Sequence, residues 1–271
     1  MTAIALTIAG SDSSGGAGIQ ADLKTFSALG VYGASAITAL TAQNTLGVEA
    51  VHAVPPDFIL KQIEAVARDL DVGAVKIGML ATRGLIEAVA EELGRFPGVP
   101  VVLDPVMVAA SGDPLLDEDA VETLRAVLMP RASLITPNLP EAAKLLGESS
   151  ARTGAEMLAQ AEALRRQGAG AVLVKGGHGE GEKAVDILID ATGELRLEAP
   201  RVKTTNTHGT GCTLSSAIAA ELAKGASLRE AVVAAKAYVT AALQAADKLR
   251  IGKGRGPVHH FHALWPKPSK R

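Results

Sequence analysis

The chain predicts an α/β fold, with a mainly parallel central sheet, helices on both faces and a small antiparallel hairpin. Three observations carry this. Short apolar runs alternate with longer stretches of helical periodicity, the pattern of strand-helix-strand units stacked into one sheet. Glycine and serine crowd directly behind the first apolar run, at Gly10–Gly18. Polar residues then recur at the ends of the later runs: Gln43 with Asn44, Gly78 with Met79, Asp104, Thr136 with Asn138, and Lys175 with Gly176. In open α/β sheets that edge is the ligand crevice, so Gly10 and these five groups point to one convergent site.

Taken in order, Ala3–Ala9 reads as a buried strand, and Ile19–Leu29 as a helix with Ile19, Leu23 and Phe26 on one face and Gly30 as its stop. Ser35–Ala42 and Val48–Val54 look extended. Pro56–Leu70 is helical, its prolines standing at the N-terminal end where a missing N–H costs little. Ala74–Ile77 is a strand, Thr82–Phe96 a helix and Val101–Leu103 a strand. A loop over Asp113–Asp119 and a helix to Val127 follow, then a short strand Leu134–Thr136. Helices Pro140–Leu146 and Ala155–Gln167 precede strand Ala171–Lys175. Val185–Asp190 and Glu194–Glu198 flank Ala191-Thr192-Gly193 as the hairpin. Helices Thr213–Lys224 and Leu228–Leu249 close the pattern.

With 271 residues, 48% hydrophobic and 3% aromatic, the chain can bury a large core of Ala, Val, Leu and Ile. No linker, composition break or solenoid period divides it, so one domain over residues 1–265 with a basic tail at 266–271 is expected. A single cysteine excludes an internal disulfide framework. With no secretory leader, the cytoplasm is the expected location. A formal charge of −2 with both signs mixed argues against nucleic acid or an anionic membrane as partner. No apolar run reaches the ~18 residues of a spanning helix.

Several chemistries drop out by motif. There is no GxxxxGK[ST] phosphate loop, no GxSxG elbow, and Gly10–Gly18 lacks GxGxxG spacing. His259, His260 and His262 could bind a metal but lack the i, i+4 spacing of a helical zinc site, which favours packing or hydrogen-bonding roles. The most informative stretch is Thr207-His208-Gly209-Thr210-Gly211-Cys212-Thr213, which sets the only cysteine at a helix start. Glycines there let successive N–H groups aim at one point, and the helix N-terminus adds positive partial charge. Three readings fit: an anion hole carrying a catalytic cysteine, a structural loop with an inert cysteine, or a Cys/His nucleophile using His208. The first suggests phosphoryl transfer. Asp104, Asn138 and Glu141 form the best metal candidate, because Mg²⁺ prefers oxygen and needs only one or two carboxylates beside a nucleotide's phosphates. Asn138 and Glu141 read equally well as a helix cap with a dipole-matched acid.

The segments AGSDSSGGAGIQADLKT (9–25), TALTAQNT (38–45), KIGML (76–80), DPVMVAASG (104–112), TPNLPEAAKLLG (136–147), VLVKGGH (172–178), NTHGTGCT (206–213) and GPVHHFH (256–262) together resemble the hydroxymethylpyrimidine/phosphomethylpyrimidine kinases of thiamine synthesis, in the ribokinase-like superfamily. The resemblance runs over nearly the whole chain. Most of that superfamily places Asp at the base position, and Cys212 here is a departure typical of the pyrimidine kinases and some vitamin B6 kinases.

The resemblance implies a ribokinase-like fold and phosphorylation by ATP with Mg²⁺ of 4-amino-5-hydroxymethyl-2-methylpyrimidine and then of its monophosphate, in a homodimer. It makes Gln43 the pyrimidine-reading residue, with Asp22, Gly10, Met79 and Val106 as pocket neighbours, although Asp22 also reads as a surface acid in a first helical turn. It gives Lys175, Asn138 and Asp104 to the nucleotide, and Glu141 with Asp104 to the metal. The amides of Gly209, Thr210, Gly211 and Cys212 form the anion hole, and Cys212 is the general base, its thiol expected to ionise more easily at the helix N-terminus. A pyridoxal or pyridoxine kinase, a non-catalytic vitamer-binding protein and a Cys/His hydrolase are the alternatives.

Overall fold

The structure, a computed structural model, describes residues 1–108, 115–179 and 181–265. The expected tail at 266–271 and the first two residues of the expected Asp113–Asp119 loop lie outside them. Nine strands form one sheet: β1 (Ile4–Asp12), β2 (Tyr32–Asn44), β3 (Gly47–Ala53), β4 (Ala74–Ile77), β5 (Val101–Leu103), β6 (Leu134–Ile135), β7 (Val172–Lys175), β8 (Lys183–Asp190) and β9 (Gly193–Pro200), in spatial order β3-β2-β1-β4-β5-β6-β7-β8-β9. The five pairings from β2 through β7 are parallel.

Both edges turn antiparallel, through β3 at one end and β8 with β9 at the other. The sequence suggested only the second hairpin. The first forms because Asn44 Oδ1 accepts from the Leu46 amide at 2.8 Å, closing the tight turn to Gly47.

Successive strand residues point to opposite faces, so a sheet covered on both sides needs apolar side chains at every position. Leu6, Ile8, Val75, Ile77 and Leu103 face one core with Ile59, Ile63, Ile86, Leu145 and Leu164, supplied by α2 (Pro56–Asp69), α3 (Arg83–Glu92), α5 (Leu139–Leu146) and α6 (Gly154–Arg166). Ala5, Val102, Leu134 and Leu173 face the other with Phe26, Leu214, Ile218 and Val232 from α1 (Gly18–Ala28), α7 (Thr210–Ala223) and α8 (Leu228–Gln244). The short α4 (Glu118–Thr123) completes the first layer and passes into a π turn at Leu124–Leu128.

Three helix limits differ from the sequence pattern. The run expected to reach Phe96 tightens into a 3₁₀ turn at Leu93–Arg95. The last helix stops at Gln244 instead of Leu249, where the Ala242 carbonyl accepts from the returning His259 amide at 3.1 Å. α7 starts three residues early, because Gly209 adopts a left-handed φ of 76° and brings Thr210 into the first turn. That early start carries Cys212 inside the helix. β1 also continues past Gly10 to Asp12, pairing Asp12 with Thr41 of β2.

Candidate active site

A cavity of about 1150 Å³ opens along the C-terminal edge of the parallel strands. Gly10, Gln43, Met79, Asp104, Asn138 and Lys175, one from each of the six strand ends named above, all line it. Val106, Gly209, Thr210, Gly211, Cys212 and Glu141 line it too. It spans the boundary between β1 and β4, where the chain switches from building one side of the sheet to building the other.

The wall above β1 is made by backbone meeting backbone. A Cβ on Gly209 would lie 1.9 Å from the Gly16 carbonyl oxygen, and one on Gly18 would lie 2.3 Å from that of Gly10. Only glycine allows the loop after β1 and the loop before α7 to touch this closely.

Asp12 ties them together. Its Oδ1 accepts from the Ser14 amide and hydroxyl at 2.8 and 2.7 Å; its Oδ2 accepts from the amides of Gly16 and Ala17 at 3.0 and 2.8 Å and lies 2.8 Å from His208 Nε2. Burial would push this carboxyl up, but those donors hold it well below the usual carboxylate range. His208 is thus committed to Asp12, which removes the observation that favoured a Cys/His nucleophile. Sequence reasoning missed Asp12; its position four and five residues before the glycines whose amides it accepts is the signal for such a loop.

On the other side of α7, His260 Nε2 lies 3.1 Å from Thr213 Oγ1, and burial together with the Lys24 charge pushes this imidazole down to about 3. His259 packs edge-on to Trp265 and His262 tilts against Tyr238. The three histidines have packing surroundings.

At the first turn of α7, helix geometry leaves the leading amides without intrahelical acceptors. The Thr210 amide donates back to the Thr207 carbonyl at 3.2 Å, so Gly211 and Cys212 offer the amides best placed for an anion. Half-buried Cys212 departs from expectation: burial, with the charges of Asp22 and Asp104, pushes its thiol up to about 11. Desolvation here exceeds the pull of the helix terminus, of nearby Lys76 and of the Gly18 amide on the sulfur.

Facing that turn is a buried charge cluster. Asp104 Oδ1 accepts from Lys175 Nζ at 2.7 Å and from Thr136 Oγ1 at 3.0 Å. Burial alone would raise the Asp104 carboxyl, but Lys175 and Lys76 outweigh it and hold it low. Lys175, whose charge burial opposes, is held protonated by Asp104 and Glu141. Glu141 Oε2 lies 3.9 Å from Lys175 and accepts from the Asn138 amide at 2.7 Å, while Asn138 Oδ1 accepts from the Glu141 amide at 2.9 Å. This is a complete capping box at the start of α5, so the cap reading holds. The same residues also border the cavity. Burial and the neighbouring Asp104 push Glu141 up to about 7, against the pull of Lys175.

At the far end, half-buried Gln43 receives a hydrogen bond on Oε1 from Thr41 Oγ1 at 3.0 Å, and its backbone is pinned to Ser13 by two bonds of 2.8 and 2.9 Å. Asp22 is the exception among the expected pocket residues. It does not line the cavity and is not a surface acid; it is fully buried beneath it, bonded to Thr7, Ser216 and Lys76. In α1 it shares the inward stripe of Ile19 and Phe26, the spacing that forecasts its burial.

The fold and crevice define an α/β protein that gathers an anion-binding helix start, a cysteine and a lysine–carboxylate cluster at one sheet edge. The phosphomethylpyrimidine kinase family model matches residues 12–259. A hydroxymethylpyrimidine/phosphomethylpyrimidine kinase of Rhizobium meliloti is 63% identical over 98% of this chain and 99% of its own, and that of Escherichia coli is 57% identical over 96% and 98%. Among solved structures, the phosphomethylpyrimidine kinase of Clostridium difficile superposes with a TM-score of 0.77 at 47% identity, covering 88% of this chain and 97% of that one. A Bacillus subtilis pyridoxal kinase, solved as an ADP complex, superposes with a TM-score of 0.89 at 41% identity, covering 96% and 98%. The chain belongs to the phosphomethylpyrimidine kinase family, and its fold is that of these ribokinase-like kinases.

Proposed function

We propose that this protein transfers the terminal phosphoryl group of ATP to the hydroxymethyl oxygen of 4-amino-5-hydroxymethyl-2-methylpyrimidine, and then a second one to the resulting monophosphate, for thiamine synthesis. The observation that carries the reading is the cavity itself. It sets the first turn of α7, with Cys212, against the Lys175–Asp104 pair, and ends at the donor-acceptor side chain of Gln43. Such an arrangement lets a small ring be held at one end while phosphate charge is met at the other.

In this reading Gln43 reads the ring by donating and accepting at once, with Gly10, Met79 and Val106 shaping the slot. A ring with the wrong pattern leaves a buried amide unpaired. The amides of Gly209, Gly211 and Cys212, with Thr210 shaping the turn, stabilise charge gathering on the moving phosphoryl group. Cys212 accepts the alcohol proton in the first step. Lys175, Asn138 and Asp104 meet the nucleotide phosphates. The donor set also fits Mg²⁺: Asp104 and Glu141 are buried oxygen donors, and among the described residues no group of three or more His, Cys, Asp and Glu forms a fuller cage. When bound, the ion would neutralise phosphate charge and orient the phosphates.

We also infer a cytoplasmic enzyme, one kinase domain over residues 1–265, acting on small molecules and without nucleic acid or membrane partners. Among the described residues no helix is long and apolar enough to cross a membrane. A homodimer is supported by the apolar side chains that the β2–β3 hairpin and α2 leave exposed, Leu40, Leu46, Val51 and Phe58.

Measuring ADP release against hydroxymethylpyrimidine, its phosphate and pyridoxal tests the assignment. We expect the two pyrimidines to give the higher kcat/KM values. Faster turnover of pyridoxal would replace the reading with its nearest rival, which the 41% identity to a pyridoxal kinase keeps in view.

A further inference from the structure

Gly18 and Asp22 stand one turn apart on α1, and Cys212 and Ser216 one turn apart on α7, which packs against it. The two faces meet in register. One turn beyond Cys212, the Ser216 hydroxyl donates to Asp22 Oδ1 at 2.6 Å. Asp22 Oδ2 accepts from Thr7 Oγ1 at 2.6 Å, and Lys76 Nζ reaches both carboxylate oxygens at 3.0 and 2.9 Å.

Lys76 rises from β4, fully buried yet forming part of the cavity floor. A Cβ on Gly78 would lie 2.8 Å from its Nζ, so the glycine after β4 leaves room for the ammonium. A buried ion pair is weak support for a fold, since apolar residues of similar volume often serve as well or better. Stability alone therefore does not account for a lysine in this strand.

We propose that Lys76, held by Asp22, is a positioning residue for phosphorylation of the alcohol: it fixes a positive charge one helical turn beneath the Cys212 sulfur and favours the thiolate there. The inference rests on Cys212 acting as the base. The charged groups facing that sulfur are Lys76 from β4, Asp22 from α1, Asp104 after β5 and Lys175 from β7. The two carboxylates and burial raise the thiol, and Lys76 is the strongest opposing charge. Asp22 holds that charge in place: burial opposes it, but Asp22 keeps Lys76 protonated beyond the ordinary lysine range.

Cys212 is the sole cysteine, so alkylation by iodoacetamide followed by mass spectrometry reports it alone. The test measures the alkylation rate against pH for the full chain, for Lys76→Met, and for the Lys76→Met/Asp22→Leu pair, which leaves no unpaired buried charge. Circular dichroism checks that each is folded. The alkylation midpoint should rise by about one pH unit or more in Lys76→Met, and upward by less in the double variant. First-step kcat at pH 8 should fall at least about tenfold in Lys76→Met and by less in the double variant, with a far smaller loss in the second step of each. If Lys76→Met does not fold, the double variant decides. An unshifted midpoint would overturn the role of Lys76 alone. A shifted midpoint with both steps falling alike would overturn the base reading beneath it.

Discussion

Of the lysine–carboxylate pairs buried around this cavity, Lys76–Asp22 and Lys175–Asp104 are finished differently. Lys76–Asp22 is closed: both carboxylate oxygens are taken by Lys76, Thr7 and Ser216, and neither side chain of the pair has any exposure. Lys175–Asp104 is open: Lys175 keeps a side-chain exposure of 13%, both residues border the cavity, and a second acid, Glu141, stands 3.9 Å away. A closed pair is a fixed field that no ligand can rearrange. An open one with a surplus acid can exchange partners, as the proposed binding of phosphates and a cation would require.

The largest effects should come from the helix start above the closed pair. In the first phosphorylation a neutral alcohol must lose its proton, so Cys212→Ala should slow it by on the order of 10² to 10⁴. In the second the nucleophile is a phosphate oxygen, mostly deprotonated at neutral pH with a second pKa near ~6, and little is left for a base to do. Rates for both substrates on one purified preparation check this, and equal losses would show that Cys212 only shapes its loop.

Gly209→Ala sharpens the contrast, because it strains a φ of 76° and drives a Cβ to 1.9 Å from the Gly16 oxygen. Losing well-aimed anion-hole donors costs on the order of 10² to 10³ in kcat, and here both steps should fall together.

At the open pair, Glu141 carries the test. Its carboxyl is raised from 4.5 to about 7, so between those values the folded chain keeps a proton that the unfolded chain has lost. Its contribution to stability therefore falls as pH rises through that window. A bound divalent cation should expel this proton. Titration calorimetry with Mg²⁺ and nucleotide just below pH 7, in buffers of different ionisation enthalpy, should show up to about one proton released per site, and none from this source in Glu141→Gln. The same variant should show a weakened Mg²⁺ dependence; a wild-type titration would leave Glu141 as a cap alone.

The smallest change is expected furthest from both pairs. Gln43→Leu keeps most of the volume but removes both hydrogen-bonding atoms, and should lower kcat/KM for the pyrimidine about tenfold, roughly 1.5 kcal/mol, with the KM for ATP unchanged. Unaltered pyrimidine kinetics would take Gln43 out of the site.

These two pairs also mark what the sequence could and could not disclose. Strand ends are local: an apolar run followed by a polar residue placed Gln43, Met79, Asp104, Asn138 and Lys175 at one edge, and the structure brings them around one cavity. Asn138 and Glu141 were legible as a cap from their spacing alone. The closed pair was not, because its partners are 54 and 194 residues apart in the chain and no spacing rule links them. Its one local trace is a lysine inside the wholly buried strand Ala74–Ile77. The Cys212 thiol departs from the sequence-based expectation for a related reason: the helix terminus is visible in the sequence, whereas the desolvation that overrides it is made by distant segments.

The contact between Asp12 and His208 joins residues 196 positions apart, and His208 is itself held between the Gly256 carbonyl and the Val258 amide. During synthesis from the N-terminus, β1 and its glycine loop emerge first and the segments that complete their wall emerge near the end. Closing so long a loop is entropically costly and slow compared with local pairing. A growing chain can thus lay down the β1–β2 and β4–β5 strands long before it owns a working crevice. Chemistry is the last property this protein acquires as it is made.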